Sequence, residues 1–338
     1  MTGLLTFHQC HNYGAVLQAY ALQQALKKMG VASEYIDIEN EVFEEHGKKA
    51  GHNLYRNPLE KGHPRKDHVE AMLQKRWEQF ESFRAAKLTC SRRVENEEQL
   101  AELIIKYQML LVGGDQLWNA NLPVALDVFS VPFRCSLPKA SYGTSMGDSD
   151  LISVRKRLFL KNFFAIGVRE ARSIPYMKKY VGDRVHSNVD PIFLLDKQEW
   201  CCFAEAVFSK QYIFAYVFNN GKLDFGEQIQ KLREYANHKR HKVIVCANDY
   251  VEEDDYVKSV IAVSPGQWLG YIKDADYVVT NSFHGLAFSI LFNKPFSLLD
   301  RDVRKQELMQ VRHRLAEAIS ESKTYLREIC EYGLRYGQ

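Results

Sequence analysis

The beginning of the chain alternates between strand-like and helix-like patterns, and this alternation restricts the fold more than any other feature. Residues 3–7, GLLTF, and residues 33–38, SEYIDI, are apolar runs of strand length. Between them, AVLQAYALQQALKKMG has apolar residues at helical spacing and ends at Gly30, a residue typical of helix C-termini. A strand, a helix and a strand in this order form a βαβ unit, which predicts a parallel sheet.

A second series of alternating strands and helices begins after residue 170. Its predicted strands are YIFAYVF, HKVIVCA, ADYVVTN and KPFSLL, and its predicted helices span 224–237, 265–274 and 284–293. A length of 338 residues also favours two domains. We therefore predict an α/β fold with two doubly wound domains, 1–168 and 169–338, and a ligand in the crevice beyond the carboxyl ends of their strands.

Residues 40–67 interrupt the first domain with a polar stretch that contains Gly, Pro and Lys, and we predict a surface excursion there. The stretch includes His46, His52 and His63, but their spacing fits no pattern of metal ligands. We therefore expect no metal site. The charged residues 305–335 are predicted to form a C-terminal helix of the second domain.

The composition argues against several classes of protein. The formal net charge is +3 without a sustained basic stripe, so we expect no nucleic-acid partner. The seven cysteines are scattered and form no CxxC pair, which is typical of a reduced cytoplasmic protein without structural zinc. We see neither an apolar run of membrane-spanning length nor a signal peptide, and we expect neither.

The loop after the first strand is a candidate binding element. In HNYGAVLQ the predicted helix directs its first backbone N–H groups towards the crevice, where they suit an anion or a sugar hydroxyl. Gly14 lets a ligand approach closely. Asn12 is either the N-cap of this helix or a substrate contact.

A second candidate is LLVGGDQLWN, in which two glycines follow a buried strand. Gly113 and Gly114 either leave room for a ligand against bare backbone or form a tight turn. Asp115 and Gln116 are suited to hydrogen bonds with sugar hydroxyls, and Trp118 is suited to stacking on a sugar ring.

Arg169, in IGVRE, ends a strand at the joint between the two predicted domains. Its guanidinium either holds a carboxylate or phosphate through two parallel hydrogen bonds or forms an ion pair with Glu170 or another neighbour.

The stretch DYVVTNSFHG combines a strand, a short loop and the start of a helix at His284. The positive end of a helix disfavours a charged imidazolium until an anion binds, and a bound trianion reverses this preference. The position of His284 between Ser282 and Gly285 at a strand end therefore favours a proton donor over a structural histidine.

Together these stretches resemble the polysaccharide pyruvyl transferase family. The resemblance rests on NYGAVLQAYALQQAL, VGGDQLWN, VREARS, VDPIFLL and SPGQWLGYIKDADYVVTNSFHGLAFSILFNKPF, in this order between residues 3 and 299. It implies two Rossmann-like domains facing a central cleft, as in the GT-B glycosyltransferases. It also implies transfer of the enolpyruvyl group of phosphoenolpyruvate onto two hydroxyls of a sugar, which yields a cyclic ketal and phosphate.

The resemblance further assigns roles to individual residues. It makes His284 the acid that protonates C3 of phosphoenolpyruvate. The implied contacts of phosphoenolpyruvate are Arg169, Asn281, Ser282 and Gly285. The implied contacts of the acceptor sugar are Asn12, Tyr13, Gly14, Gly114, Asp115 and Gln116. Phosphoenolpyruvate is the donor substrate, and no cofactor is implied.

The implied acceptor is a sugar of a cell-surface polysaccharide or of its lipid-linked precursor. A peripheral contact with a membrane stays open, and the sequence does not indicate an oligomeric state. Some family members have an arginine at the position of Ser282, so the helix N-terminus, or a lysine or arginine elsewhere such as Arg301 or Arg304, would have to compensate for the missing charge. Two other functions also stay open, a nucleotide-sugar glycosyltransferase and a non-catalytic relative that binds glycan.

Overall fold

In the computed structural model, residues 1–38, 59–120, 127–133, 135–147, 154–207, 211–219, 224–239, 241–299 and 305–337 are described. The helices are α1 Tyr13–Lys28, α2 Lys66–Lys87, α3 Glu97–Ile104, α4 Val154–Leu160, α5 Ile174–Val181, α6 Lys197–Phe203, α7 Phe225–Lys239, α8 Pro265–Asp274, α9 Phe283–Leu291 and α10 Lys305–Tyr336. Most of the predicted 40–67 excursion, with His46 and His52, lies outside the described residues.

Over the described residues, the strands form two sheets, and within each sheet every pairing of neighbouring strands is parallel. The first sheet has the order β3-β2-β1-β4-β5-β6-β7 and the second has the order β10-β9-β8-β11-β12. The strands of the first sheet are β1 Thr2–Leu5, β2 Ser33–Ile38, β3 Cys90–Val94, β4 Met109–Gly113, β5 Lys139–Thr144, β6 Ala165–Val168 and β7 Val185–Ser187. Those of the second are β8 Tyr212–Val217, β9 Lys242–Ala247, β10 Val257–Ser259, β11 Tyr277–Thr280 and β12 Phe296–Leu298.

The central strands are buried along their whole length, as their sequences require. Every residue of β4 (MLLVG) and of β8 (YIFAYV) is buried. Parallel strands are covered by helices on both faces, so their residues are apolar in continuous runs and do not alternate. The predicted α/β class with two doubly wound parallel sheets is therefore confirmed.

The chain divides into two compact units, and the division differs from the boundary predicted between residues 168 and 169. The first unit comprises Met1–His52, Arg84–Leu195 and His313–Gln338, and the second comprises Asn53–Phe83 and Asp196–Arg312. Each unit contains one of the two sheets.

Specific contacts explain this division. The strand β7 pairs with β6, so the first sheet continues to Ser187. The Tyr325 hydroxyl on α10 donates to the Ser141 carbonyl at 2.9 Å, and the C-terminal helix belongs from His313 onward to the first unit, not to the second as predicted. Arg76 on α2 donates to the Ile261 carbonyl at 3.1 Å, which ties α2 to the second unit.

All seven cysteines are free thiols. Over the described part of the chain, no helix has both the length and the apolar character needed to cross a membrane.

Candidate functional site

The loop between β1 and α1 lies at the carboxyl edge of the first sheet. The Asn12 side chain accepts a hydrogen bond from the Ala15 backbone N–H at 3.2 Å and has the extended backbone of an N-cap. Asn12 is therefore the N-cap of α1, which was one of the two roles considered for it. Tyr13 and Gly14 are buried, with the Tyr13 ring fully inaccessible, so this structure does not present the Tyr13 side chain to a sugar as the resemblance implied.

The same loop builds a polar cluster that the sequence did not indicate. The His8 ring stacks on Tyr35, with Nδ1 3.1 Å from the Thr6 carbonyl and Nε2 3.6 Å from Oδ1 of Asp37. The Gln9 amide donates to Asp37 at 2.5 Å. A small concave space, open to solvent, adjoins His8 and Gln9. The only signal in the sequence was the density of polar residues in HQCHN, which has no fixed pattern.

Asp37 is the charged group of this cluster. Burial raises the pKa of the Asp37 carboxyl, but His8 and the nearby arginines lower it by more, so the pKa lies below its ordinary value. Arg84 is one of these arginines, with Nη1 4.0 Å from Oδ1 of Asp37. The cluster therefore holds a carboxylate beside the concave space.

The two glycines after β4 are used for packing inside the protein. Gly114 has φ +71°, and a Cβ at this position would collide with the Gln18 side-chain amide. A Cβ on Gly113 would lie 2.6 Å from the Leu22 side chain. The space beside Gly114 is thus filled by α1, which supports the tight-turn alternative and differs from the expected ligand gap.

Asp115 and Gln116 follow in the same turn and remain partly exposed. Asp115 has φ +53°, and its carboxylate accepts the Gln116 backbone N–H at 2.8 Å. Gln116 accepts from the Asn119 side chain at 2.5 Å. Both side chains keep an accessible part, as a role in binding hydroxyls requires.

Trp118 does not have the predicted sugar-stacking position. Its side chain is completely buried, and the indole N–H donates to the Phe129 carbonyl at 3.0 Å. Its ring packs edge-on against Phe163. A bulky apolar ring with one N–H is stabilised best by burial with a single acceptor, and Trp118 is therefore a core residue.

Arg169 follows β6 and is held by two carboxylates. Its Nη1 lies 2.7 Å from Oδ2 of Asp190, and its Nε lies 3.3 Å from Oε1 of Glu170. Burial lowers the pKa of the Arg169 guanidinium, but the carboxylates of Asp190 and Glu170 raise it by more. The ion-pair alternative is therefore realised, and the positive charge of Arg169 is compensated within the first unit.

Glu170 connects this pair to the neighbouring strand. Its carboxylate accepts from the Ser145 hydroxyl at 2.5 Å and from the Met146 backbone N–H at 3.1 Å, after β5. The Ser145 N–H in turn donates to the Asp115 carbonyl at 2.7 Å. The structure thus brings the predicted residues Asp115 and Arg169 into one network along the carboxyl ends of three adjacent strands.

The second unit presents His284 at the amino end of α9, directly after β11. Ser282 is the N-cap, and its hydroxyl accepts the Gly285 N–H at 3.4 Å. His284 lies in the first turn and is 8% exposed. The helix start predicted at this residue is confirmed, and the backbone N–H groups of the first turn make this end electropositive.

Asn281 and Gly285 have structural contacts. The Asn281 amide accepts from the Phe218 N–H and donates to the Phe218 carbonyl, both at 2.8 Å, so it fastens β11 to the end of β8. A Cβ on Gly285 would collide with the Thr280 hydroxyl, which requires glycine at this close approach. Both residues thus have structural contacts around His284, and the direct ligand contact that the resemblance implied stays a prediction.

Arg301 and Arg304, two of the residues suggested to compensate for Ser282, lie outside the described residues. Within the described ranges, no group of three or more His, Cys, Asp or Glu side chains is placed to hold a metal ion.

Comparison with known proteins identifies one family. The model of the polysaccharide pyruvyl transferase family matches residues 12–303 of the chain. The matched range contains Asn12, Asp115, Arg169 and His284 and ends after α9 and β12. His8 precedes it. No curated protein sequence matches the chain.

Solved structures with a similar fold share little sequence. The MnaA–UDP co-structure from S. aureus has a TM-score of 0.55 and 12% identity, over 99% of this chain and 96% of that chain. The UDP-GlcNAc 2-epimerase from Neisseria meningitidis, bound to UDP-GlcNAc, has a TM-score of 0.51 and 11% identity, over 100% of this chain and 94% of that chain. At this identity the similarity concerns the fold alone, and it agrees with the GT-B-like class of two Rossmann-like units.

Proposed function

The chain belongs to the polysaccharide pyruvyl transferase family, and on this premise we propose that it transfers the enolpyruvyl group of phosphoenolpyruvate to a sugar diol. The products are a cyclic pyruvate ketal and phosphate. The observation that carries the proposal is the position of His284 in the first turn of α9, behind the Ser282 cap and inside the matched range.

In the proposed reaction His284 donates a proton to C3 of phosphoenolpyruvate, which makes C2 electrophilic. One sugar hydroxyl forms a bond to C2 and returns its proton to His284. The bond between C2 and the phosphate oxygen then breaks, and the second hydroxyl closes the ketal. The proton of that second hydroxyl leaves with the phosphate, so the atoms and charges of the two substrates balance those of the two products.

The electropositive amino end of α9 supports a role for this segment in binding the donor. The first-turn N–H groups and the Ser282 hydroxyl are suited to the phosphate or carboxylate of phosphoenolpyruvate. Asn281 and Gly285 support this role by fixing the loop.

We assign recognition of the acceptor sugar to the polar side chains at the carboxyl edge of the first sheet. Asp115 and Gln116 have the accessible oxygens and amide that sugar hydroxyls require. Asn12 uses one oxygen as an N-cap and is only partly buried. For Arg169 we propose a positioning role, because Asp190 and Glu170 compensate its charge and its pairing orders the ends of β5 and β6. A direct contact with phosphoenolpyruvate stays a prediction.

The test is phosphate release from phosphoenolpyruvate in the presence of lipid-linked and aryl galactosides, glucosides and mannosamine derivatives. We expect release that depends on the acceptor, together with a product mass that contains one pyruvate ketal. The conservative variant His284→Gln is expected to release no phosphate, and Phe283→Leu, beside it, is the matched control.

Binding measurements separate the remaining functions. A rise in melting temperature with phosphoenolpyruvate supports the proposal. Stabilisation by nucleoside diphosphates and not by phosphoenolpyruvate would replace it with a nucleotide-sugar glycosyltransferase. Stabilisation by glycans alone, without release of phosphate, would replace it with a binding protein.

A further inference from the structure

The last residue of β11 is a threonine whose side chain makes two hydrogen bonds. Thr280 is inaccessible to solvent, and its hydroxyl donates to the Tyr216 carbonyl at 2.6 Å. The same hydroxyl oxygen accepts the Ser282 backbone N–H at 3.0 Å. A threonine hydroxyl has one proton and two lone pairs, so its proton and one of its acceptor positions are used. The Thr280 hydroxyl therefore joins the end of β8 to the turn that leads into α9.

The backbone of Thr280 is held by the strands on both sides of β11. Thr280 lies opposite Tyr216 of β8 and opposite Leu298 of β12. Its carbonyl also accepts the Leu299 N–H at 3.1 Å. A β-branched side chain on such a fixed backbone has few allowed rotamers. The sheet of the second unit therefore determines where the Thr280 hydroxyl lies.

The Thr280 side chain also packs against the first turn of α9. A Cβ on Gly285 would collide with the Thr280 hydroxyl oxygen and would lie 3.2 Å from the Thr280 methyl carbon. Only glycine allows an approach this close. His284 lies between Ser282 and Gly285 in the chain, so the Thr280 side chain contacts the backbone on both sides of His284.

Two other contacts hold the same turn, and they act differently from Thr280. The Asn281 amide bonds to the backbone of Phe218 and fastens the beginning of the turn to β8. The cap bond from the Gly285 N–H to the Ser282 hydroxyl is 3.4 Å long, which is beyond the usual range for such bonds. Thr280 is therefore the residue that ties the sheet both to the turn and to the first turn of the helix.

We propose that Thr280 is a positioning residue that holds His284 in the place from which it donates a proton to phosphoenolpyruvate. The inference rests on the proposed function and assigns a further residue to it. A general acid must lie within hydrogen-bonding reach of the atom that it protonates, and a displacement of about 1 Å costs about 10²-fold in rate. Side chains fixed by packing and by hydrogen bonds provide this precision. Thr280 acts through His284 and does not contact the substrate, because its side chain is buried.

Two substitutions separate the hydroxyl of Thr280 from its shape. Thr280→Val keeps the branched side chain beside Gly285 and removes both hydrogen bonds of the hydroxyl. Thr280→Ser keeps the hydroxyl and removes the methyl group. A hydroxyl that only stabilised the fold would lower the melting temperature when it is removed and leave the turnover of folded molecules unchanged. A hydroxyl that positions His284 lowers kcat more than it changes KM when it is removed.

The test is the steady-state rate of phosphate release from phosphoenolpyruvate by these variants of the full chain, with an acceptor that supports release by the wild type. We expect Thr280→Val to lower kcat about 10²-fold, with a smaller change in KM for phosphoenolpyruvate. Thr280→Ser should keep most of the wild-type kcat. The matched control is Tyr212→Phe, which removes a hydroxyl that donates to the Tyr271 carbonyl at 2.9 Å, at the opposite end of β8. This control should keep the wild-type kcat.

A second measurement needs no substrate and separates this inference from the proposed reaction. The proton–carbon NMR signal of the His284 ring is the one that is missing from the spectrum of His284→Gln. It should shift in Thr280→Val and stay near its wild-type position in Thr280→Ser and Tyr212→Phe. Absence of phosphate release by the wild type would overturn the proposed reaction, and the NMR signal alone would then decide whether Thr280 fixes the position of the His284 ring.

Several results would overturn the inference. These are a wild-type kcat in Thr280→Val, an unshifted His284 signal in that variant, and equal losses of kcat in Thr280→Val and Tyr212→Phe. Circular dichroism of each variant confirms folding. Thr280→Ala removes the same hydroxyl from a smaller side chain and replaces Thr280→Val if the valine prevents folding. Failure of both variants to fold would make Thr280 a residue of the core alone and would also overturn the inference.

Discussion

Arg169 and Asp190 form an ion pair in which Nη1 lies 2.7 Å from Oδ2 and the Asp190 side chain is completely buried. The second oxygen of Asp190 accepts the Ile192 backbone N–H at 3.1 Å. The pair joins the end of β6 to the segment after β7, two regions that are 21 residues apart. The geometry of this ion pair predicts that removal of the Arg169 side chain lowers the stability of the fold more than it lowers the affinity for substrate.

Arg169→Ala is expected to lower the free energy of unfolding by about 3–5 kcal/mol, because it leaves the Asp190 carboxylate buried without its partner. Denaturant unfolding measures this loss. The double variant Arg169→Ala with Asp190→Asn should recover part of it, since the uncompensated charge is then removed. Wild-type stability together with a raised KM for phosphoenolpyruvate would instead make Arg169 a substrate contact.

Gly114→Ala is expected to destabilise the first unit more than Gly30→Ala does. Both glycines have similar backbone angles, with φ +71° and +75°. In both variants the left-handed conformation of the alanine therefore lowers the free energy of unfolding by about 1–2 kcal/mol. Only Gly114 has a neighbour in the way, the Gln18 amide, whereas a Cβ on Gly30 meets nothing within 4 Å. The difference between the two free energies of unfolding therefore measures the collision. Equal losses would show that α1 shifts without cost.

The lowered pKa of Asp37 predicts a dependence of stability on pH. Its folded-state pKa lies below the unfolded value of about 3.9, so the ionised carboxylate stabilises the folded state. This contribution is complete above the unfolded pKa and is lost as the pH falls through the lower folded value. Asp37→Asn should therefore flatten the acid limb of the stability curve, measured by urea unfolding from neutral to acidic pH.

The exposed Asp183, which pairs with Lys178, provides the control for this experiment. Asp183→Asn should change the acid limb little, because solvent screens an exposed ion pair. An unchanged acid limb in Asp37→Asn would show that the contacts of Asp37 with His8 and Gln9 do not favour its charged form.

The elements that position the candidate site could be predicted because their sequences are locally strong. The apolar runs of β1, β4 and β11 were evident, as were the helix starts after Asn12 and at His284. The carboxyl ends of the strands in a parallel sheet lie at one edge, and this rule identified the loops after β1, β4 and β11 as candidate site elements.

The remaining features depend on contacts between distant residues. The short strand β7 (VHS) has no apolar run and exists through its pairing with β6. Nothing near Gly114 in the sequence indicates that Gln18 fills the space beside it, and nothing near Arg169 indicates Asp190. The return of α10 to the first unit rests on Tyr325 and Ser322, whose partners lie more than a hundred residues earlier.

His284→Gln is expected to abolish turnover while the melting temperature stays close to that of the wild type. A general acid contributes about 10²–10⁴-fold to the rate, and glutamine keeps a similar size and hydrogen-bonding capacity without an exchangeable charge. Because His284 sits in the first turn of a capped helix, the Ser282 and Asn281 contacts should hold the loop in place. Steady-state kinetics with phosphoenolpyruvate should show a loss in kcat without a comparable rise in KM. A rise in KM with unchanged kcat would make His284 a binding residue and leave the proton donor to another group.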